Sequence, residues 1–291
     1  MKWSEYKIKR VNKGDKDYPR VLNELKDSPK QIYYRGELNG LFSKKSIAIV
    51  GSRRMTRYGA SIIDKFVSAF AVCGVTTVSG YMYGVDTEVH SKTVEYGGQT
   101  IVVMGGGINT PYPSENDKLY TKILQSGGVV LSEYKPEAKP KLWMYPQRNR
   151  IIAALGSMGT LVIEAGERSG SLITVDYARQ LGRRIFAVPG PISSSVSVGT
   201  NMIIKKGIAE LVTGPEDIVK NFQFSNSNFQ NDNKDLEGIE REIFGILKNE
   251  EMSIDEVAVA IDKDLVEVST VVSMMALKGI ISEAGGKYFV V

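Results

Sequence analysis

The residues best suited to chemistry in this chain are those that hold phosphate. Gly51-Ser52-Arg53-Arg54 follows the apolar run Ser46–Val50 and supplies a backbone that a ligand can approach closely, a hydroxyl and guanidinium groups able to clasp phosphate oxygens with paired hydrogen bonds. Ser79-Gly80, Gly84 and Gly105-Gly106-Gly107 stand at the ends of two further apolar runs. There they either line a groove with small groups and amides or simply make tight turns. Tyr145-Pro-Gln-Arg148-Asn149-Arg150 sets two cations and an amide beside an aromatic, with Trp143 just upstream. Such a mixture suits an unpaired nucleic acid strand, whose phosphates the arginines neutralise while Tyr145 stacks on a base. Trp143 has a core position as its alternative. Ser169-Gly170-Ser171, after Arg168, opens a predicted helix, where free amides and the helix dipole attract an anion or where a serine merely caps the end.

Bond-making chemistry finds less support. With one His and one Cys in 291 residues, no His/Cys metal cluster can form. A Ser-His-Asp relay would have to use His90, which falls inside a predicted helix and is read as structural. Asp86, Glu164 and Glu167 are not paired by spacing. Neither G-x-G-x-x-G nor G-x-x-x-x-G-K-[ST] occurs, so NAD and ATP lose their usual sequence support. No catalytic residue, metal or cofactor is therefore assigned. Cys73, inside FVSAFAVCGV, is read as a buried, inert thiol.

The elements that must position these groups follow from hydropathy. Strand-length apolar runs at 46–51, 75–79, 100–104, 129–132, 159–164 and 184–188 alternate with helix-length segments at 59–72, 85–96, 115–125, 149–155, 171–181 and 201–206. The alternation predicts an α/β fold: a Rossmann-like, mostly parallel sheet with flanking helices over residues 46–221, preceded by an irregular and short-helical lead-in at 1–45 packed on the core. Residues 222–235, rich in Asn, Ser and Gln, read as a linker. Three short helices and a hairpin over 236–291 describe a winged helix. That last domain holds 5 Lys/Arg against 11 Asp/Glu, which leaves 32 against 22 of the chain's 37 and 33 for the rest. A net of +10 on the large part predicts a polyanion partner, and a net of −6 on the small one suits contact with protein better than with phosphate. The composition, 42% hydrophobic, is that of a packed globular protein. No run of about 18 apolar residues and no apolar core at the start is present, so the expectation is a cytoplasmic protein without a membrane partner.

Taken in order, IAIVGSR, SGYMYGVDTEVH, GGQTIVVMGGGINTPYPSEN, GGVVLSEY, YPQRNRIIAAL, GTLVIEAGERSGSLIT and RIFAVPGPI resemble the DNA-processing protein A (DprA/Smf) family over residues 15–220. The resemblance implies a Rossmann-like domain that binds and protects single-stranded DNA, dimerises, and loads the RecA recombinase on incoming strands during natural transformation, without being an enzyme. It also implies a strand-binding pocket made of Gly51, Ser52, Arg53, Arg148, Asn149, Arg150, Ser169, Gly170 and Ser171. Two departures stand out. Where the family commonly reads S-G-L-A-R-G-I-D, this chain has Ser79-Gly-Tyr-Met-Tyr-Gly-Val-Asp86, losing an arginine and offering Tyr83; the usual His-Phe before the proline is Met144-Tyr145. Two rival readings use a similar fold. One is a nucleotide-processing enzyme of the phosphoribohydrolase type, loosely echoed by GSMGTLVIEAGERSG, and the other is a nucleotide-sensing protein signalling through its acidic domain.

Overall fold

Residues 2–38, 41–219, 236, 238–277 and 280–290 are described in a computed structural model. They form two compact units, Met1–Phe222 and Gln223–Val291. The linker expected at 222–235 lies outside the described residues.

In the large unit each strand-length apolar run becomes a strand buried on both faces. These are β3 Ser46–Val50, β4 Thr76–Ser79, β5 Thr100–Val103, β6 Val129–Ser132, β7 Thr160–Val162 and β8 Ile185–Ala187. Between and after them run α1 Arg57–Val72, α2 Val85–Glu95, α3 Asp117–Gln125, α4 Met144–Leu155, α5 Ser171–Gln180 and α6 Val198–Lys205. A period of two assigns the layers: Ile47 and Ile49 of β3 pack with residues of α1 and α2, while Ala48 and Val50 face α4 and α5. The strands from β3 to β8 are mutually parallel, joined at one edge by the short β9 Glu210–Leu211. The chain winds outward from β3 through β4, β5 and β6, then crosses back to place β7 on the other side of β3. That reversal opens a crevice beyond the carboxyl ends of β3 and β7.

Two expectations are corrected. The lead-in is not merely irregular and short-helical: β1 Lys9–Asn12 and β2 Gln31–Arg35 pair antiparallel with each other, and β2 with β6, making a nine-stranded mixed sheet. These strands are short and bury only one or two residues each, so their hydropathy carries no strand-length apolar run. Helix α4 begins at Met144, five residues before the expected Asn149. Pro146 sits in its first turn, where a missing N–H removes no intrahelical bond.

The small unit contains α7 Ile239–Leu247, α8 Ile254–Ala260, α9 Leu265–Leu277 and a hairpin of β10 Ile281–Ala284 with β11 Lys287–Val290, the order of a winged helix. Its core is its own, built on Ile243, Leu247, Val257, Val268, Val272, Met275 and Ile281.

Candidate functional site

The crevice is a cleft of about 440 Å³ bounded by four segments: the loop after β3, the loop after β4, the first half of α4 and the entrance to α5. Gly51, Ser52, Arg53, Tyr145, Arg148, Asn149, Ser169, Gly170 and Ser171 all line it. Arg53 is exposed, with its guanidinium carbon 5.8 Å from the centre of the Tyr145 ring. The neighbouring Arg54, also exposed, faces the same cleft.

The floor is charged and buried. Arg148 is 3% exposed and donates to the Val103 carbonyl and, through Nε, to Asn149 Oδ1 at 3.2 Å. Asn149 in turn donates to the Gly170 carbonyl at 3.2 Å, tying α4 to the α5 entrance. Asp86 accepts from the Met82 amide at 3.2 Å and lies 3.1 Å from Ser79 Oγ. Burial raises the Asp86 carboxyl above its ordinary range, against the opposing pull of Arg148. Burial also lowers the Arg148 guanidinium, which Asp86 partly restores. An anion entering this floor would give Arg148 a second negative neighbour and offset the cost of burying its charge. At the α5 entrance, Ser169 Oγ accepts from the Ser171 amide at 3.3 Å and lies 2.8 Å from Ser171 Oγ, so hydroxyls and the positive end of a ten-residue helix meet the cleft.

Gly80, Gly84, Gly105, Gly106 and Arg150 are not in the lining. The glycines serve by letting other groups close up. A β-carbon on Gly80 would sit 2.2 Å from Asp86 Oδ2 and 2.6 Å from the Arg148 guanidinium, and one on Gly105 would sit 2.6 Å from the Tyr145 ring. Gly84 backs onto Ser52 and Arg53, and Gly106 onto Pro140. Arg150 is corrected more sharply. Its guanidinium makes a two-pronged pair with Glu133, both bonds 2.7 Å, and donates to the Gln147 and Asp27 carbonyls. Two positions along a helix correspond to about 200° of rotation, so Arg148 and Arg150 cannot face one cleft.

Arg54 lines the cleft with the rest of its motif, and Met82, Tyr83, Asp86, Ile173 and Thr174 line it without having been singled out for it. Arg54 was visible as the second cation of Gly51–Arg54, whereas Asp86 and Tyr83 reach the cleft only because α2 starts at Val85, turning its entrance toward β3. Trp143 is outside both core and cleft, 54% exposed and edge-on to Tyr134. His90 is wholly buried, with Nε2 2.6 Å from the Gly80 carbonyl and Nδ1 2.7 Å from Thr100 Oγ1; burial pushes its pKa down to about 4, so it is neutral at pH 7. Glu164 accepts from the Thr56 amide and hydroxyl, holding the cap of α1. Cys73 closes α1 and is half-buried rather than buried. Among the described residues no His/Cys/Asp/Glu group could hold a metal ion, and no helix is long and apolar enough to cross a membrane.

Residues 9–223 match the family model described as DNA recombination-mediator protein A. The chain is 36% identical to Protein Smf of Escherichia coli over 280 residues, covering 93% of this chain and 74% of that one. It is 40% identical to DNA processing protein DprA of Streptococcus pneumoniae over 210 residues, covering 72% and 73% of the two chains. The crystal structure of the pneumococcal protein superposes with a TM-score of 0.68 at 37% identity, over 77% of this chain and 76% of that one. The Helicobacter pylori DNA processing protein A, described for its single-stranded DNA binding mode, superposes with a TM-score of 0.67 at 27% identity, over 76% and 97%.

Proposed function

The chain belongs to the DNA recombination-mediator protein A family, and from that premise we propose that its cleft grips the backbone of single-stranded DNA. The observation that carries this reading is the convergence of exposed Arg53 and Arg54, buried Arg148 and the α5 entrance on one crevice, with Tyr145 beside them. Cations and helix-start amides hold phosphates, the Tyr145 ring stacks on a base, and no step of bond making is assigned. The relative from Helicobacter pylori, described as a single-stranded DNA binder, shares the fold. The wider role is that of a recombination mediator: a homodimer formed through the large unit protects incoming strands in natural transformation and passes them to a RecA recombinase. The acidic unit then serves contact with protein.

The binding reading is tested by anisotropy of a labelled oligothymidine. Backbone contacts release counterions, so the logarithm of affinity should fall with that of salt by about 0.7 per phosphate engaged. Arg53→Ala should weaken every sequence alike, by about tenfold or more, the range of a lost charge-assisted hydrogen bond. A flat salt response, or an Arg53→Ala chain that binds as the parent does, removes the cleft from strand binding. Growth of recombinase filaments on strands already coated with a single-strand binding protein, with and without this chain, tests the handover separately.

A further inference from the structure

Beside the cleft stands a group of tyrosines that phosphate binding does not require. Tyr83, which lines the cleft, is 42% exposed, and Tyr112 is 47% exposed. Their ring centres lie 6.3 Å apart at 81°, an edge-to-face pair. Tyr83 is pinned by its hydroxyl, which sits 3.2 and 3.3 Å from the two carboxylate oxygens of Glu115. Tyr112 also lies close enough to Tyr145 to add, after burial, to the rise of the Tyr145 phenol. The rim therefore runs from Arg53 over Tyr145 to Tyr112 and Tyr83.

Large aromatic faces left in water are costly to hydrate and gain most when a flat, polarisable partner covers them. An edge-to-face pair held by a carboxylate loses little rotamer freedom when such a partner arrives, because its rings are already fixed. Charge decides which part of a strand comes here. Glu115 repels phosphate where it holds Tyr83, while exposed Arg53, over the Tyr145 ring, and Arg54 attract it into the cleft. The backbone is thus steered to the arginines and the bases to the tyrosines.

We propose that Tyr83 and Tyr112 form a base-stacking ledge that seats the nucleotides flanking the one whose phosphate occupies the cleft; this rests on the strand-binding reading above. The ledge recognises unpaired bases of any identity, since every base presents a π face, and it excludes a duplex, whose bases are already stacked. It also assigns a task to Tyr83, the residue that stands where an arginine is common in similar sequences.

The test uses the full-length chain and two labelled oligonucleotides of equal length, one oligothymidine and one whose central sites are abasic but whose phosphates are intact. Tyr112→Ala and Tyr83→Ala should each weaken oligothymidine binding about tenfold, within the range of one lost base–aromatic stack. Tyr112→Ala, outside the cleft lining, should leave abasic binding unchanged, Tyr83→Ala should lose far less on the abasic oligonucleotide than on oligothymidine, and Tyr112→Phe, which keeps the ring, should bind as the parent does. Unchanged oligothymidine affinity in the alanine variants, or an equal loss on both oligonucleotides, overturns the ledge. If the parent chain binds neither oligonucleotide, the cleft reading fails first and takes the ledge with it.

Discussion

Arg148 and Arg150 stand two positions apart on α4 and do different work. Arg148 lies under the cleft with Asp86, whereas Arg150 closes a buried pair with Glu133, their side chains 5% and 11% exposed. Removing one partner of such a pair strands the other charge away from water, a loss of about 3–5 kcal/mol. Arg150→Ala should therefore lower the unfolding free energy by that amount in a denaturant titration, while the folded fraction binds oligonucleotide as the parent does. A loss of affinity at unchanged stability would return Arg150 to the binding surface. The sequence made both arginines visible as cations near an aromatic, but which one meets a ligand depends on the helix phase. That phase was hidden because α4 starts at Met144, with Pro146 inside its first turn, and the expected start at Asn149 left Arg148 outside any helix. Gly51, Ser52 and Arg53 were legible for the opposite reason: they follow a strand buried at every position, and the end of such a strand is where an open parallel sheet presents its ligand.

At the scale of elements, the cleft depends on how closely α4 settles over the end of β5. Tyr145, in the first turn of that helix, lays its ring against Gly105, where a β-carbon would come within 2.6 Å of it. Real contacts of that kind do not persist, so Gly105→Ala must displace the ring, and with it the partner that Arg53 stacks on at 5.8 Å. The expected result is a several-fold loss of oligothymidine affinity with a smaller loss on an abasic oligonucleotide, both read by anisotropy; equal affinities in parent and variant would mean that Tyr145 has no part in base contact. The parallel strands and their helices could be read from the sequence because each apolar run is long and ends in a turn signal. β1 and β2 could not: β2, a short strand of polar and aromatic residues, gains its place by pairing with β6, a partner about a hundred residues away, and β1 only by pairing with β2. The site itself was half legible: each loop that contributes to it was marked by glycine, serine or arginine, but the charged floor of Asp86 and Arg148 arises where the entrance of α2 and the start of α4, from opposite faces of the sheet, meet beside Gly80 at the strand ends, which no local pattern announces.

For the whole molecule the relevant quantity is the division of charge. The part before residue 236 carries a formal net of +10 (32 Lys/Arg, 22 Asp/Glu), and the part from Leu236 onward carries −6 (5 against 11). Each unit has a core that shares no residue with the other's, which supports separate folding of Met1–Phe222. On α9, the helix that would enter a groove in a DNA-reading winged helix, Leu265, Val266, Glu267, Thr270, Ser273 and Met274 are exposed, and no cation is among them. A tethered acidic unit that touches no phosphate can only oppose strand binding, through a field screened over about 8 Å at physiological salt. Residues 1–222 alone should therefore bind oligothymidine as tightly as the full chain or a few-fold more tightly at low salt, and the difference should vanish as salt is raised. The salt dependence should be as steep as that of the full chain or slightly steeper, because the cleft neutralises the same phosphates in both and only a screened repulsion is lost. If truncation instead weakens binding tenfold and flattens that slope, phosphates are being held by the second unit, and its acidic surface is not the whole of its chemistry.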